Sequence, residues 1–103
     1  MTTESDDPTP ARPSAVLRAH RDLVREIVRR HHGIDVHVFG SIVKGDDIVG
    51  SDIDLLVTLD GSASLFDLVK MEDEIREAHG IPVDIVERGS VRNPEIFESA
   101  VPL

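Results

Sequence analysis

A chain of 103 residues has room for one domain with a modest core; little surface remains for gripping a large second substrate, so any acceptor is expected to dock as a separate protein. The formal net charge of −9 disfavours a nucleic-acid acceptor, because polyanion binding relies on Lys and Arg, and three aromatic residues, all Phe, give few platforms for stacked bases. A basic protein partner suits this balance better. The lack of cysteine excludes disulfides and thiolate metal sites, and with no secretory leader and no apolar run of roughly 20 residues the expected location is the cytoplasm, away from membranes.

Met1 to Pro13 is acidic, rich in Pro and Thr, and has almost nothing to bury, so it reads as a disordered arm preceding a single domain over residues 14–103. Ser14 suits the N-cap of a helix reaching about His32, with Leu17, Val24, Ile27, Val28 and His31 recurring on one side. Arg18, Arg21, Arg25, Arg29 and Arg30 then form a solvated face, and Gly33 is placed to stop the helix. Val36 to Phe39 is an apolar strand that runs into Gly40-Ser41. One helical turn over Ile42 to Gly45 and a polar link, Asp46 to Ser51, lead to a second strand, Asp52 to Val57. Asp46 and Asp47 read as loop acids that either face away from a phosphate site or help hold cations.

Asp60-Gly61-Ser62 is a turn, and Ser64 with Asp67 forms a capping box for a helix over Leu65 to His79. Leu65, Leu68, Val69, Ile75 and Ala78 are its expected buried stripe, with Gly80 ending it and Pro82 preventing continuation. Ile81 to Val86 is a third strand. Asn93-Pro94 begins a short last helix carrying Ile96, Phe97 and Ala100, which either covers the sheet or awaits a partner. The five histidines lack metal-ligand spacing and take structural or surface roles.

The chemistry concentrates between Val36 and Val57. Asp52 and Asp54 lie two residues apart, so a strand points both to one side while Ile53 and Leu55 point to the other, and the carboxylates converge on one or two hard cations such as Mg²⁺. At Gly40-Ser41 a residue without a Cβ lets the backbone turn close to a ligand, where free amides and the Ser41 hydroxyl can cradle phosphate oxygens. Metal on one strand and phosphate on the other is the chemistry of nucleotidyl transfer. Asp84, the one charge in its strand, joins the site if that strand pairs beside Asp52 and Asp54 with matching facing.

Gly40-Ser41, ten residues, Asp52-Ile53-Asp54 and a later strand Asp84 resemble the DNA polymerase β nucleotidyltransferase superfamily, most closely its minimal nucleotidyltransferases, the antitoxin halves of HEPN/MNT toxin–antitoxin pairs. The resemblance covers about Gly33 to Val86 and extends to the closing Ala100 to Leu103. It implies an α/β (α+β) fold with a small mixed sheet of three to four strands, helices on one face and the site on the other. Asp52 and Asp54 would bind two Mg²⁺ ions, Asp84 would bind the catalytic one and help activate an acceptor hydroxyl, and Gly40 and Ser41 would hold the β- and γ-phosphates.

Lys44 falls where related sequences carry Arg and would meet nucleotide phosphate as a point charge rather than a bidentate one. The family further implies ATP as donor and a tyrosine of a HEPN ribonuclease toxin as acceptor, so that adenylylation silences the toxin. An antitoxin that only binds and masks its toxin fits the size and the acidity equally well. A phosphohydrolase with an aspartyl nucleophile fits less well, because such folds need a longer chain and Gly40-Ser41 would have no role.

Overall fold

The computed structural model describes residues 12–103. Two helices, α1 (Pro13–Ala19) and α2 (Arg21–Arg30), lead into strand β1 (Gly33–Phe39); a short helix α3 (Ser41–Lys44) and a loop follow, then β2 (Ile53–Leu59). Helix α4 (Leu65–His79), β3 (Val83–Glu87), a 3-10 turn (Arg88–Ser90), α5 (Pro94–Ser99) and β4 (Val101–Pro102) complete the chain. The sheet order is β3-β2-β1-β4. β1 is antiparallel to β2 and β4, and β2 is parallel to β3. Parallel neighbours need a long crossover, and α4 supplies it.

Pleat alternation sorts the strand residues onto two faces. Val36 and Val38 of β1, Ile53, Leu55 and Val57 of β2 and Val83 of β3 meet Leu17 of α1, Val24, Ile27 and Val28 of α2 and Met71 and Ile75 of α4 in one buried cluster. These three helices therefore lie on one face, and Asp52, Asp54 and Asp84 belong to the other. This is the mixed α/β architecture expected from the sequence. Leu55 has no exposed surface and sits at the centre of that cluster, so Leu55→Ala is expected to cost about 2–5 kcal/mol through lost burial and a cavity. Urea unfolding checks this, and a loss below about 1 kcal/mol would contradict the assigned core.

The structure corrects several local expectations. The first helix is broken at His20, whose backbone (φ −112, ψ 17) leaves the helical region. α1 is tied at its start to the loop after α3, whereas α2 lies along β1, and one straight helix cannot meet both demands. Ser14 is not the cap: Arg12 is, with Pro13 at the first helical position, where a missing amide hydrogen is harmless. Residues 1–11 of the expected arm lie outside the described residues; Arg12 and Pro13 belong to the packed structure, and Pro13 is buried.

The residue that turns the chain out of α2 is His32 (φ 68), not Gly33. Gly33 is a buried strand residue on which a Cβ would lie 2.8 Å from the Val28 carbonyl oxygen, so it serves close helix–strand approach.

On α4 the buried line is Leu68, Met71, Ile75 and the half-buried Ala78; Leu65 and Val69 are 79 % and 58 % exposed. At about 100° per residue, Val69 lies roughly 200° around the helix from Met71 and so faces outward. The α4 limits are as expected: Asp67 accepts a hydrogen bond from the Ser64 amide at 2.8 Å, and Gly80 (φ 78) ends the helix. Asn93 caps α5 by accepting from the Glu95 amide at 3.0 Å. The five arginines of the first segment are exposed, as expected. Arg30 pairs with Glu26 and Glu74, and Arg25 donates to the Leu103 carbonyl oxygen at 2.6 Å, beside the edge strand β4. No helix among the described residues is long and apolar enough to cross a membrane.

Candidate active site

β1 delivers the chain at Phe39, and Gly40 (φ 78, ψ −144) turns it into α3. This conformation is open only to glycine, and a second constraint coincides with it. A Cβ on Gly40 would overlap Asp54 Oδ2 and lie 3.2 Å from Asp54 Cγ. Asp54 therefore rests against bare backbone. Gly45 (φ 76) ends α3 after a single turn, and the Lys44 amide returns to the Gly40 carbonyl oxygen at 3.2 Å.

The acids come from two neighbouring strands. Asp52 stands just before β2 and Asp54 within it, on the same face two residues apart. The parallel register pairs Asp54 with Asp84, which puts that carboxylate on the adjacent strand, about 4.8 Å away in the ladder direction. The same register sets Phe39 of β1 opposite Asp54 on the other side. Asp54 thus lies against Gly40, beside Asp84 on the neighbouring strand and two residues from Asp52.

Burial, then Asp84, then Asp52 push the Asp54 carboxyl above the usual carboxylate range. Among the described residues, none of the three acids has an ion-pair partner. Such uncompensated, oxygen-only charge suits a hard divalent cation. Among the described residues no three acidic or histidine side chains close tightly enough to hold an ion alone. Mg²⁺ would need waters and substrate phosphates to complete its shell there.

Lys44 and Gly40 share a cleft of ≈ 360 Å³ with Phe39 and, from the far side, with Asn93, Glu95, Ile96, Glu98 and Ser99 at and within α5. Lys44 is exposed and Ser41 half-buried at the start of the same turn. The helix opened by Asn93-Pro94 is legible in the sequence, but its place as a wall of this cleft is not, because its residues reach Gly40 and Lys44 only through folding. Asp47 does lie on the loop joining Lys44 to Asp52, as expected of a loop acid, but unlike Asp46 it is buried.

The sequence matches the nucleotidyltransferase domain family over residues 20–101, and the protein belongs to that family. The protein adenylyltransferase MntA of Thermococcus cleftensis is 32% identical over 79 residues, 77% of each chain. A solved structure assigned as a minimal nucleotidyltransferase superposes with a TM-score of 0.80 at 29% identity, over 94% of this chain and 99% of that one. A toxin–antitoxin crystal structure with AMP-PNP shares the fold, with a TM-score of 0.60 at 20% identity over 69% of this chain and 59% of that one. Within the family, this chain is a minimal nucleotidyltransferase.

Proposed function

We propose that the protein transfers AMP from Mg²⁺-bound ATP to a hydroxyl of a partner toxin, a tyrosine of a HEPN ribonuclease, and so acts as its antitoxin. The observation that carries this reading is the trio of Asp52, Asp54 and Asp84 on one sheet face, with Gly40 backed directly onto Asp54. The adenylyltransferase relative and the toxin–antitoxin neighbour support it. Asp52, Asp54 and Asp84 would hold the Mg²⁺ ions, which supply charge neutralisation for the attacking and leaving oxygens.

The chain's own groups do the rest. Gly40, Ser41 and Lys44 bind the β- and γ-phosphates, which presents the α-phosphorus toward Asp52, Asp54 and Asp84. Asp84 orients the acceptor hydroxyl and takes up its proton. The hydroxyl oxygen bonds to the α-phosphorus as the bond to the bridging oxygen breaks, and pyrophosphate leaves. The 103 residues contain no tyrosine, so no tyrosyl acceptor lies among them.

Intact-mass measurement of the toxin after incubation with this protein, ATP and Mg²⁺ tests the reading. A gain of one or more AMP units is expected, with none when Asp54→Asn replaces the native protein. An unmodified toxin in a stable complex would instead identify a masking antitoxin. The exposed apolar side chains of Leu65, Phe66 and Val69 on α4 suit such binding.

A further inference from the structure

From Lys44 to Gly50 every residue is exposed except Asp47, which is 2 % exposed and is the one buried charged residue among those described. It is held by residues at the start of α1. Its Oδ1 pairs with Arg12 Nη2 at 2.7 Å and its Oδ2 accepts from the Ser14 amide at 2.8 Å. Arg12 Nε also donates to the Asp47 carbonyl oxygen at 2.9 Å, and Arg12 Nη2 reaches the Gly45 carbonyl oxygen at 3.4 Å. Beyond these, among the described residues, the loop has only local bonds: Gly45 and Asp46 amides to α3, and Ser51 to Ile48 in both directions.

We propose that Asp47 is a positioning residue, and that its clasp with Arg12 and the start of α1 fixes Lys44 at the cleft relative to the acids at Asp52 and Asp54. This rests on the nucleotidyl-transfer reading above. The loop begins at Lys44 and ends at Asp52, so its placement sets the distance between the proposed phosphate contact and the acid strand. An apolar side chain at position 47 could bury as much surface, but it would not set the loop's direction. A carboxylate gripped at both oxygens, with its own carbonyl gripped as well, fixes orientation as well as distance. That is the use for which buried ion pairs are best attested. Burial alone would push the Asp47 carboxyl up, yet the Ser14 and Arg12 hydrogen bonds hold it below the usual range, so the clasp is charged at neutral pH.

The test compares native protein with Asp47→Asn, Arg12→Ala and the double variant. Calorimetric titration with α,β-methylene-ATP and Mg²⁺ reads affinity, steady-state transfer separates KM from kcat, and amide exchange reads the Gly45–Ser51 loop. Losing a hydrogen bond to a charged group costs roughly 10- to 100-fold, so affinity is expected to fall by about that factor and KM for ATP to rise in step. kcat should change far less, and loop amides should exchange faster. The double variant is expected to be no worse than Asp47→Asn alone, because both substitutions open the same clasp.

If Asp47→Asn fails to fold, Arg12→Ala decides, since the Arg12 side chain is 53% exposed and its loss leaves the core intact. Native affinity and KM in folded variants would overturn the positioning role while leaving the transferase reading in place. Native protein that binds no nucleotide would overturn both.

Discussion

Asp54→Asn is expected to eliminate transfer while making the resting protein more stable. Metal-assisted stabilisation of a transferring phosphoryl group is worth several kcal/mol, and each 1.36 kcal/mol is a factor of ten, so the rate should fall by about three orders of magnitude or more. The accompanying gain in stability follows from the same electrostatics. Burial and the neighbouring Asp84 and Asp52 raise the Asp54 pKa in the folded protein, so ionising Asp54 costs more there than in the unfolded chain. Below the unfolded value, about pH 4, the group is protonated in both states and contributes no difference. As the pH rises through the unfolded and then the folded pKa, metal-free native protein loses stability that the neutral asparagine keeps.

Thermal unfolding in EDTA should therefore show Asp54→Asn with the higher midpoint at pH 7, and the gap should close toward pH 4. Added Mg²⁺ and ATP should raise the native midpoint and leave that of the variant nearly unmoved. A variant that transfers AMP at even a tenth of the native rate would remove Asp54 from the site. A variant less stable than native at pH 7 in EDTA would show that Asp54 is held by favourable contacts rather than strained by like charge.

Much of what could be read from the sequence depends on short-range spacing, although the Ser14 cap and the Gly33 stop, also short-range readings, fell elsewhere. Asp52 and Asp54 must share a face once they lie on a strand, Asn93-Pro94 must open a helix, and Ser64 with Asp67 must cap one. The strand adjacency of Asp84 was stated only conditionally, because it depends on a parallel pairing made across the whole of α4. Lines of sight along a helix were misjudged where apolar residues occur all around it. On α4, Leu65 and Val69 looked like core candidates, but Met71 and Ile75 define the inward line. Glycine was harder still. Gly33 and Gly40 look alike in sequence, yet Gly33 admits a helix backbone and Gly40 admits a side chain, and both neighbours arrive through tertiary packing.

Gly40→Ala should cost transfer more than about 100-fold, although it deletes no functional group. The substitution fails twice. At φ 78 and ψ −144 an alanine is outside the regions open to L-residues, a cost of about 1–3 kcal/mol. The new methyl also needs the space of the Asp54 carboxylate, and backbone ladder bonds on both sides of β2 keep that strand from yielding. The side chain of Asp54 must swing aside instead, taking it away from Asp52 and Asp84.

The fold should survive, because the displaced group lies on the acid face and not in the helix-covered core. A fall in Tm of about 4–8 °C per kcal/mol is expected for a domain of this size, together with loss of transfer beyond about 100-fold. Gly80→Ala is the control. It also has a positive φ of 78, but with ψ 4 and nothing within 4 Å of an added Cβ, so the strain is there without any contact to a site residue. That variant should lose about 1 kcal/mol of stability and keep its transfer rate. If the two alanine variants lost activity equally, backbone strain alone would be responsible, and the contact between Gly40 and Asp54 would have no part in catalysis.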